Sequence, residues 1–224
     1  MKKKLISFCL VLATVLSMLV MPVSAKSSLK ASDVTKEARL LQAVGIISDV
    51  PDETEGNREI TRAEFVVTVA KAMGVKATRE NVKYFSDIPS DHWSLPYINR
   101  LVEMGIISLP DDRLYRPNDK ITVNEAIKIL ICTLGYGEYA LMLGSYPAGY
   151  SEVARKLEFS VTGTNEALTV YRSYIMLYDA LKAPMYEKTA AGGGYISYDE
   201  SDETLLSKYF DVYDDVLKIG RDIA

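Results

Sequence analysis

Few side chains in this sequence are equipped for chemistry, and their scarcity is informative. His92 is the only histidine among the 224 residues, so a zinc centre or a histidine-dependent hydrolase has no basis here. His92 reads instead as a solvated or helix-capping group. Asp87 and Asp91 have the look of the paired carboxylates of a glycosidase, but a turn and cap role accounts for both. The acidic loops at 49–59 and 108–119 lack the Asp-x-Asp-x-Asp-Gly order of a calcium loop. Cys132 lies in the apolar run Ala126-Ile127-Lys128-Ile129-Leu130-Ile131-Cys132 and reads as a small buried hydrophobe rather than a nucleophile. No catalytic residue, metal site or cofactor is expected.

Two residues stand out as candidates for binding. Arg62 sits in Thr61-Arg62-Ala63-Glu64. Helix capping explains Thr61 and Glu64, because a Thr-x-x-Glu box lets the hydroxyl and the carboxylate each take a free first-turn N–H. Capping gives no reason for Arg62. A planar guanidinium beside a helix N-terminus suits a carboxylate ligand; a surface salt bridge is the plainer alternative. Trp93 follows Asp91-His92 at the start of a helix. It reads as a core anchor between helices, with a sugar-stacking platform as the second reading, since apolar sugar faces pack on aromatic rings.

The elements that must position these residues are repeated. An apolar helical pattern runs into Gly45-Ile46-Ile47-Ser48, and the same signal returns at Gly105-Ile106-Ile107-Ser108. Gly45 and Gly105 are natural helix caps. Each is followed by an acidic, proline-containing loop and then by Ile60-Thr61…Glu64 or Ile121-Thr122…Glu125. The glycines are 60 residues apart and the threonines 61, so two landmarks agree on one period. Thr122 and Glu125 form a second capping box. Behind the boxes, Phe65, Val66, Val69 and Met73, then Ile127, Leu130, Ile131 and Leu134, have helical spacing; Gly74 and Gly135 close those helices. A third, shorter copy starts at Tyr150–Leu157, with Glu158 where the glycine would stand. Leu168-Thr169 then opens another helix, and Arg172 replaces the box glutamate.

These residues resemble the S-layer homology family. The second repeat carries the resemblance furthest, with Phe85-Ser86-Asp87-Ile88, Trp93, Gly105-Ile106-Ile107, Tyr115-Arg116-Pro117 and Ile121-Thr122; the first contributes Thr61-Arg62-Ala63-Glu64. The likeness covers residues 33–183. It implies an all-α fold in which three helix-loop-helix repeats form a pseudo-threefold helical spindle. It also implies the wall-anchoring module of a Gram-positive, clostridial-type surface protein, binding anionic, pyruvylated secondary wall polysaccharide in grooves between repeats. On the family pattern Arg62 meets the polymer, joined here by Trp93 and Asp87. Val123 and Val170 take the arginine's place in the other copies, so at most one groove keeps the full signature.

The flanks complete the plan. Met1-Lys2-Lys3-Lys4, the apolar run Leu5–Val20 and Pro22-Val23-Ser24-Ala25 have the layout of a signal peptide over residues 1–25. Its removal leaves 23 basic against 30 acidic residues, a poor balance for nucleic-acid binding, and no second membrane segment follows. The expected divisions are repeat 1 at 33–76, repeat 2 at 84–137, a degenerate repeat 3 at 146–183, and a hinge with a C-terminal segment at 190–224. Ala190-Ala191-Gly192-Gly193-Gly194 reads as the hinge. Leu205, Leu206, Tyr209, Phe210, Tyr213 and Leu217 then read as a last helix docked on the module. The expected function is non-catalytic anchoring of a secreted protein at the cell wall, with other surface-layer subunits as possible partners. The alternative is a surface-layer assembly protein without polysaccharide recognition. A wall hydrolase lacks both a catalytic constellation and room for an enzyme domain in residues 184–224.

Overall fold

The computed structural model describes residues 28–77, 82–191 and 195–210. The signal-peptide segment 1–25, the glycines at 192–194, Tyr213 and Leu217 lie outside the described residues. The chain is mostly helical, with one small two-stranded sheet.

Three helices end in the same way. α1 (Thr35–Ala43) buries Ala38, Leu40 and Leu41. After it, Gly45 turns left-handed (φ 72°) so that the Ile46 N–H reaches the Leu41 carbonyl at 2.8 Å. The chain next makes a short helix, α2 (Glu53–Gly56), whose first turn is capped by the Asp52 carboxylate, and then the long α3 (Arg62–Ala72). α4 (Leu95–Glu103) repeats the first ending, with Gly105 at φ 73° and Ile106 N–H to the Leu101 carbonyl at 2.9 Å. It is followed by α5 (Val123–Thr133) and α6 (Gly137–Leu143). α7 (Ala148–Lys156) ends identically although Glu158 holds the turn, at φ 58°, with Phe159 N–H on the Ala154 carbonyl at 2.9 Å. A side chain there costs about 1 kcal/mol of backbone strain, and the third turn survives that cost.

The helices that follow these loops, α3, α5 and α8 (Val170–Lys182), start at Thr61, Thr122 and Thr169. Thr61 and Thr122 make complete boxes: their hydroxyls accept from the Glu64 and Glu125 N–H groups at 3.2 and 3.3 Å, and the carboxylates accept from the threonine N–H at 2.7 and 2.9 Å. Thr169 keeps only the hydroxyl half, accepting from Arg172 N–H at 3.4 Å.

The residues just before these caps meet one another. Ile60 N–H donates to the Leu168 carbonyl (2.9 Å), Leu168 N–H to Ile121 (2.8 Å), and Ile121 N–H to Ile60 (3.2 Å), closing a cycle. Three further bonds surround it. Arg62 N–H goes to the Asp119 carbonyl (2.9 Å), Val123 N–H to Glu166 (3.0 Å), and Val170 N–H to Arg58 (3.0 Å). Each helix therefore has a first-turn donor, which its own backbone cannot satisfy, taken up by the loop of the next copy. Ile60, Ile121 and Leu168 are buried, and the core spreads outward from them.

The C-terminal part departs from the all-α expectation. β1 (Pro184–Ala191) pairs antiparallel with β2 (Tyr195–Thr204), from Pro184 opposite Thr204 to Ala191 opposite Tyr195. The stretch read as a hinge at 190–194 is thus strand up to Ala191 and again from Tyr195. The glycine run has β-formers such as Thr189, Tyr195 and Ile196 on both sides, a pattern suited to a hairpin. Asp199, Glu200, Asp202 and Glu203 hide the alternation. The hairpin is tied to the helices by Tyr186, whose N–H donates to the Leu134 carbonyl at 2.8 Å and whose ring stacks on Tyr136 with centroids 4.5 Å apart. A short α9 (Leu205–Tyr209) buries Leu205 and Leu206 and packs on α8 and α3, so the expected last helix is present over five residues.

Candidate functional site

Arg62 leads into an open groove. It is the first residue of α3, placed there by the Thr61 box, and its backbone is pinned to Asp119 in the loop of the second repeat. A cavity of about 370 Å³ opens between this helix start, the 107–120 loop and α5; its polar wall is Arg62, Arg116, Asp119, Lys120, Glu125 and Lys128. Four cations and two carboxylates line this pocket, on a chain whose formal charge is −4.

Most of these charges are already engaged. Arg62 Nη1 pairs with Glu125 Oε1 at 2.6 Å and Nε donates to the Tyr115 carbonyl at 3.0 Å. Its guanidinium lies 5.1 Å from the centre of the Tyr115 ring, a cation–π contact. Glu125 has two duties, since its Oε2 accepts from the Thr122 N–H and hydroxyl at 2.9 and 3.0 Å. The sequence assigned it the cap and missed the tie to Arg62. Arg116 pairs with Asp112 at 2.6 Å, and Lys120 Nζ donates to the Glu59 carbonyl at 3.0 Å. Lys128 makes no ion pair among the described residues.

The loop wall is held in an uncommon conformation. Arg113 and Arg116 are left-handed, at φ 55° and 60°, a region that non-glycine residues seldom enter. Asp87 supplies the restraint. Its two carboxylate oxygens accept from the Tyr115 and Arg116 N–H groups at 2.8 and 2.6 Å, and Ser86 N–H donates to the Arg113 carbonyl at 2.9 Å. Asp87 therefore shapes the wall without lining the cavity. Tyr115 is buried against Phe85 with ring centroids 5.1 Å apart, and its hydroxyl donates to the Arg62 carbonyl at 3.3 Å. Burial holds its phenol well above the usual tyrosine range; the Arg62 charge opposes this and Glu125 adds to it.

Trp93 corrects the core-anchor expectation. It is 54% exposed and stacks on His92 with centroids 5.6 Å apart, outside the groove lining. Trp93 precedes α4, whose inward positions are taken by Leu95, Ile98, Asn99 and Leu101. His92 caps the turn into α4, its Nδ1 lying 2.8 Å from Ser94 Oγ and accepting from Ser94 N–H at 3.3 Å.

The other two junctions are built differently. Between the second and third copies, Val123 is buried, Asn124 Nδ2 donates to Asn165 Oδ1 at 2.8 Å, and Arg172 stands where Glu125 stands in the first. Between the third and first copies, Val170 is buried beside Tyr171. The Tyr171 ring lies directly against Gly56, where a side-chain carbon would collide with it, and its hydroxyl donates to the Pro51 carbonyl at 2.6 Å. Glu64, whose counterpart Glu125 is held by Arg62, is held here by Arg58 through two hydrogen bonds of 3.1 and 2.9 Å.

Among the described residues no cluster of three or more His, Cys, Asp or Glu could hold a metal ion, and no helix is long and apolar enough to cross a membrane. Cys132 is partly buried, and desolvation pushes its thiol up, away from the reactive thiolate.

Comparison with known proteins agrees with the sequence resemblance. Residues 84–122 match the S-layer homology domain, a span that contains Asp87, Trp93 and the whole groove loop. The chain is similar to the middle cell wall protein of Brevibacillus brevis, 27% identical over 187 residues covering 81% of this chain and 18% of the relative. A surface layer protein of Brevibacillus choshinensis is 25% identical over 183 residues, 79% of this chain and 16% of the relative. A cell surface protein of Thermoanaerobacter kivui is 25% identical over 122 residues, 52% of this chain and 15% of its own length. The chain thus spans less than a fifth of each of these relatives.

Proposed function

From the S-layer homology domain at residues 84–122 and the wall and surface-layer relatives, we propose that this secreted protein anchors itself non-catalytically to the cell wall. The ligand is an anionic, pyruvylated secondary wall polysaccharide, and the Arg62 groove receives its acid group. Residues 1–25 are the export leader, and the three helix-loop-helix copies form a pseudo-threefold spindle. The closed cycle of hydrogen bonds among those copies and the three bonds around it support this arrangement.

The observation that carries the binding reading is the surplus of cations in an open cavity on an acidic chain. Lining cations that outnumber the lining carboxylates attract an anion. Arg62 holds the Tyr115 carbonyl and Glu125, and no described residue takes its Nη2, which can meet a carboxylate. The test is co-sedimentation of the protein with purified wall sacculi, before and after chemical removal of the wall polysaccharide. Binding should vanish with the polysaccharide, and Arg62→Ala should weaken it about tenfold, equivalent to losing one charge-assisted hydrogen bond. Equal binding to both preparations would move the ligand to the peptidoglycan.

A second reading, assembly with other surface-layer subunits, is favoured by one feature. Leu141, Met142 and Leu143 on α6 are exposed, Met142 by 81%. Self-association that rises with concentration in analytical ultracentrifugation, together with no binding to either sacculus preparation, would establish it.

A further inference from the structure

The linker between the second and third copies brings to the groove an aromatic residue that the repeat pattern does not contain. After α3 the chain passes through Gly74 towards the second repeat, whereas after α5 it inserts α6 and the turn at Gly144–Pro147 before α7. Tyr146, in that turn, is 44% exposed despite its size. Its ring centroid lies 5.7 Å from Lys128 Nζ, and Lys128 is the groove cation without an ion pair among the described residues. The ring is steadied from behind by the buried Tyr150, edge-on with centroids 6.2 Å apart. The Tyr146 phenol lies within electrostatic reach of Glu125 and Arg62. Burial raises its pKa and Glu125 adds to this, while a hydrogen bond with Thr122 and the Arg62 charge oppose it.

We propose that Tyr146 and Lys128 form a second subsite continuous with the Arg62 groove, in which a pyranose ring of a carboxylate-bearing saccharide stacks on Tyr146 while its acid or hydroxyl oxygens take the Lys128 ammonium. The subsite rests on the polysaccharide-binding reading and extends it by one sugar unit. A pyranose offers an apolar C–H face to an aromatic ring and polar edges to its surroundings. An exposed ring with an ammonium over it, held there by a cation–π contact and by no ion pair among the described residues, offers both. Lys128 is one turn along α5 from Glu125, so one glycan can touch the Arg62–Glu125 pair and Lys128 on the same side of the helix. Arg62 is mostly occupied by protein partners; Lys128 lines the same cavity and carries the Tyr146 ring beside it.

The test compares wild type, Tyr146→Ala, Tyr146→Phe, Lys128→Gln and Arg62→Ala in co-sedimentation with polysaccharide-bearing sacculi at two salt concentrations. Circular dichroism melts establish that each variant is folded. Tyr146→Ala should weaken binding about tenfold, and Tyr146→Phe, which keeps the ring, should bind like wild type. Lys128→Gln should weaken binding and flatten its salt dependence. Wild-type affinity for folded Tyr146→Ala, alongside impaired Arg62→Ala, would overturn the subsite and leave the anchoring function standing. A wild-type protein that binds no sacculi would overturn both.

Discussion

The junction between the first and second copies and the junction between the third and first are made from corresponding residues, yet one is an open cavity and the other is filled. The difference lies in the two positions after the cap threonine. Arg62-Ala63 puts a long cation and then a methyl at the first junction, and the space beyond stays empty. Val170-Tyr171 puts a buried valine and a full aromatic ring at the third, with Gly56 cleared for the ring and Pro51 accepting its hydroxyl. The same backbone frame therefore serves for binding or for packing, according to which side chain enters the gap. The charges follow the same logic. Where Arg62 is present a box glutamate faces it; where valine replaces it, the facing group is either Arg172 or a glutamate already held by Arg58.

The strongest way to break this contrast is to empty the filled junction. Tyr171→Ala should destabilise the protein by about 4 kcal/mol, the usual scale for removing a buried aromatic ring, read as a shift in the urea midpoint. Gly56→Ala should cost about 2 kcal/mol by overpacking against the ring. The double variant should cost much less than the sum, because the added methyl then occupies the vacated space. Additive costs would mean that ring and glycine are not a matched pair.

A smaller effect separates the caps. Thr61→Ala and Thr122→Ala each remove a complete box and should cost about 1 kcal/mol. Thr169→Ala should cost visibly less, since its hydroxyl bond is long, at 3.4 Å, and no carboxylate reciprocates. Equal losses at all three positions would remove the distinction between intact and half caps.

The smallest effect is in pH. Burial alone would raise the Glu64 carboxyl, but Arg58 and the Thr61 bonds outweigh it and hold the group below the ordinary glutamate value of 4.5. As pH falls the unfolded chain takes up this proton first. The stabilisation is therefore complete above the ordinary value and is lost as pH drops through the lower folded one. Thermal midpoints measured from neutral pH into this acid window should fall less steeply for Glu64→Gln than for wild type.

Much of this molecule was legible in its sequence because the signals are local. The Thr61–Glu64 and Thr122–Glu125 boxes, the glycine turns at Gly45 and Gly105, and the helical spacing behind them involve residues within a turn or two of each other. Glu158 was legible as a departure, and the left-handed turn persists through it because the bonds around it are made by the backbone. The hairpin at 184–204 was missed because its alternation is buried in acidic residues and its turn looks like a linker. The sequence also set the limits of the chemistry: a single histidine, no metal-ligand spacing, and arginine after one of three cap threonines. Tertiary structure alone decided which junction is open, because that depends on what fills a gap between segments distant in the chain. It turned Asp87 into the clamp of a loop more than 25 residues away, gave Glu125 a second partner in Arg62, left Trp93 on the surface, and brought Tyr146 to the groove. Contacts of this range carry no periodicity, so no pattern along the chain announces them.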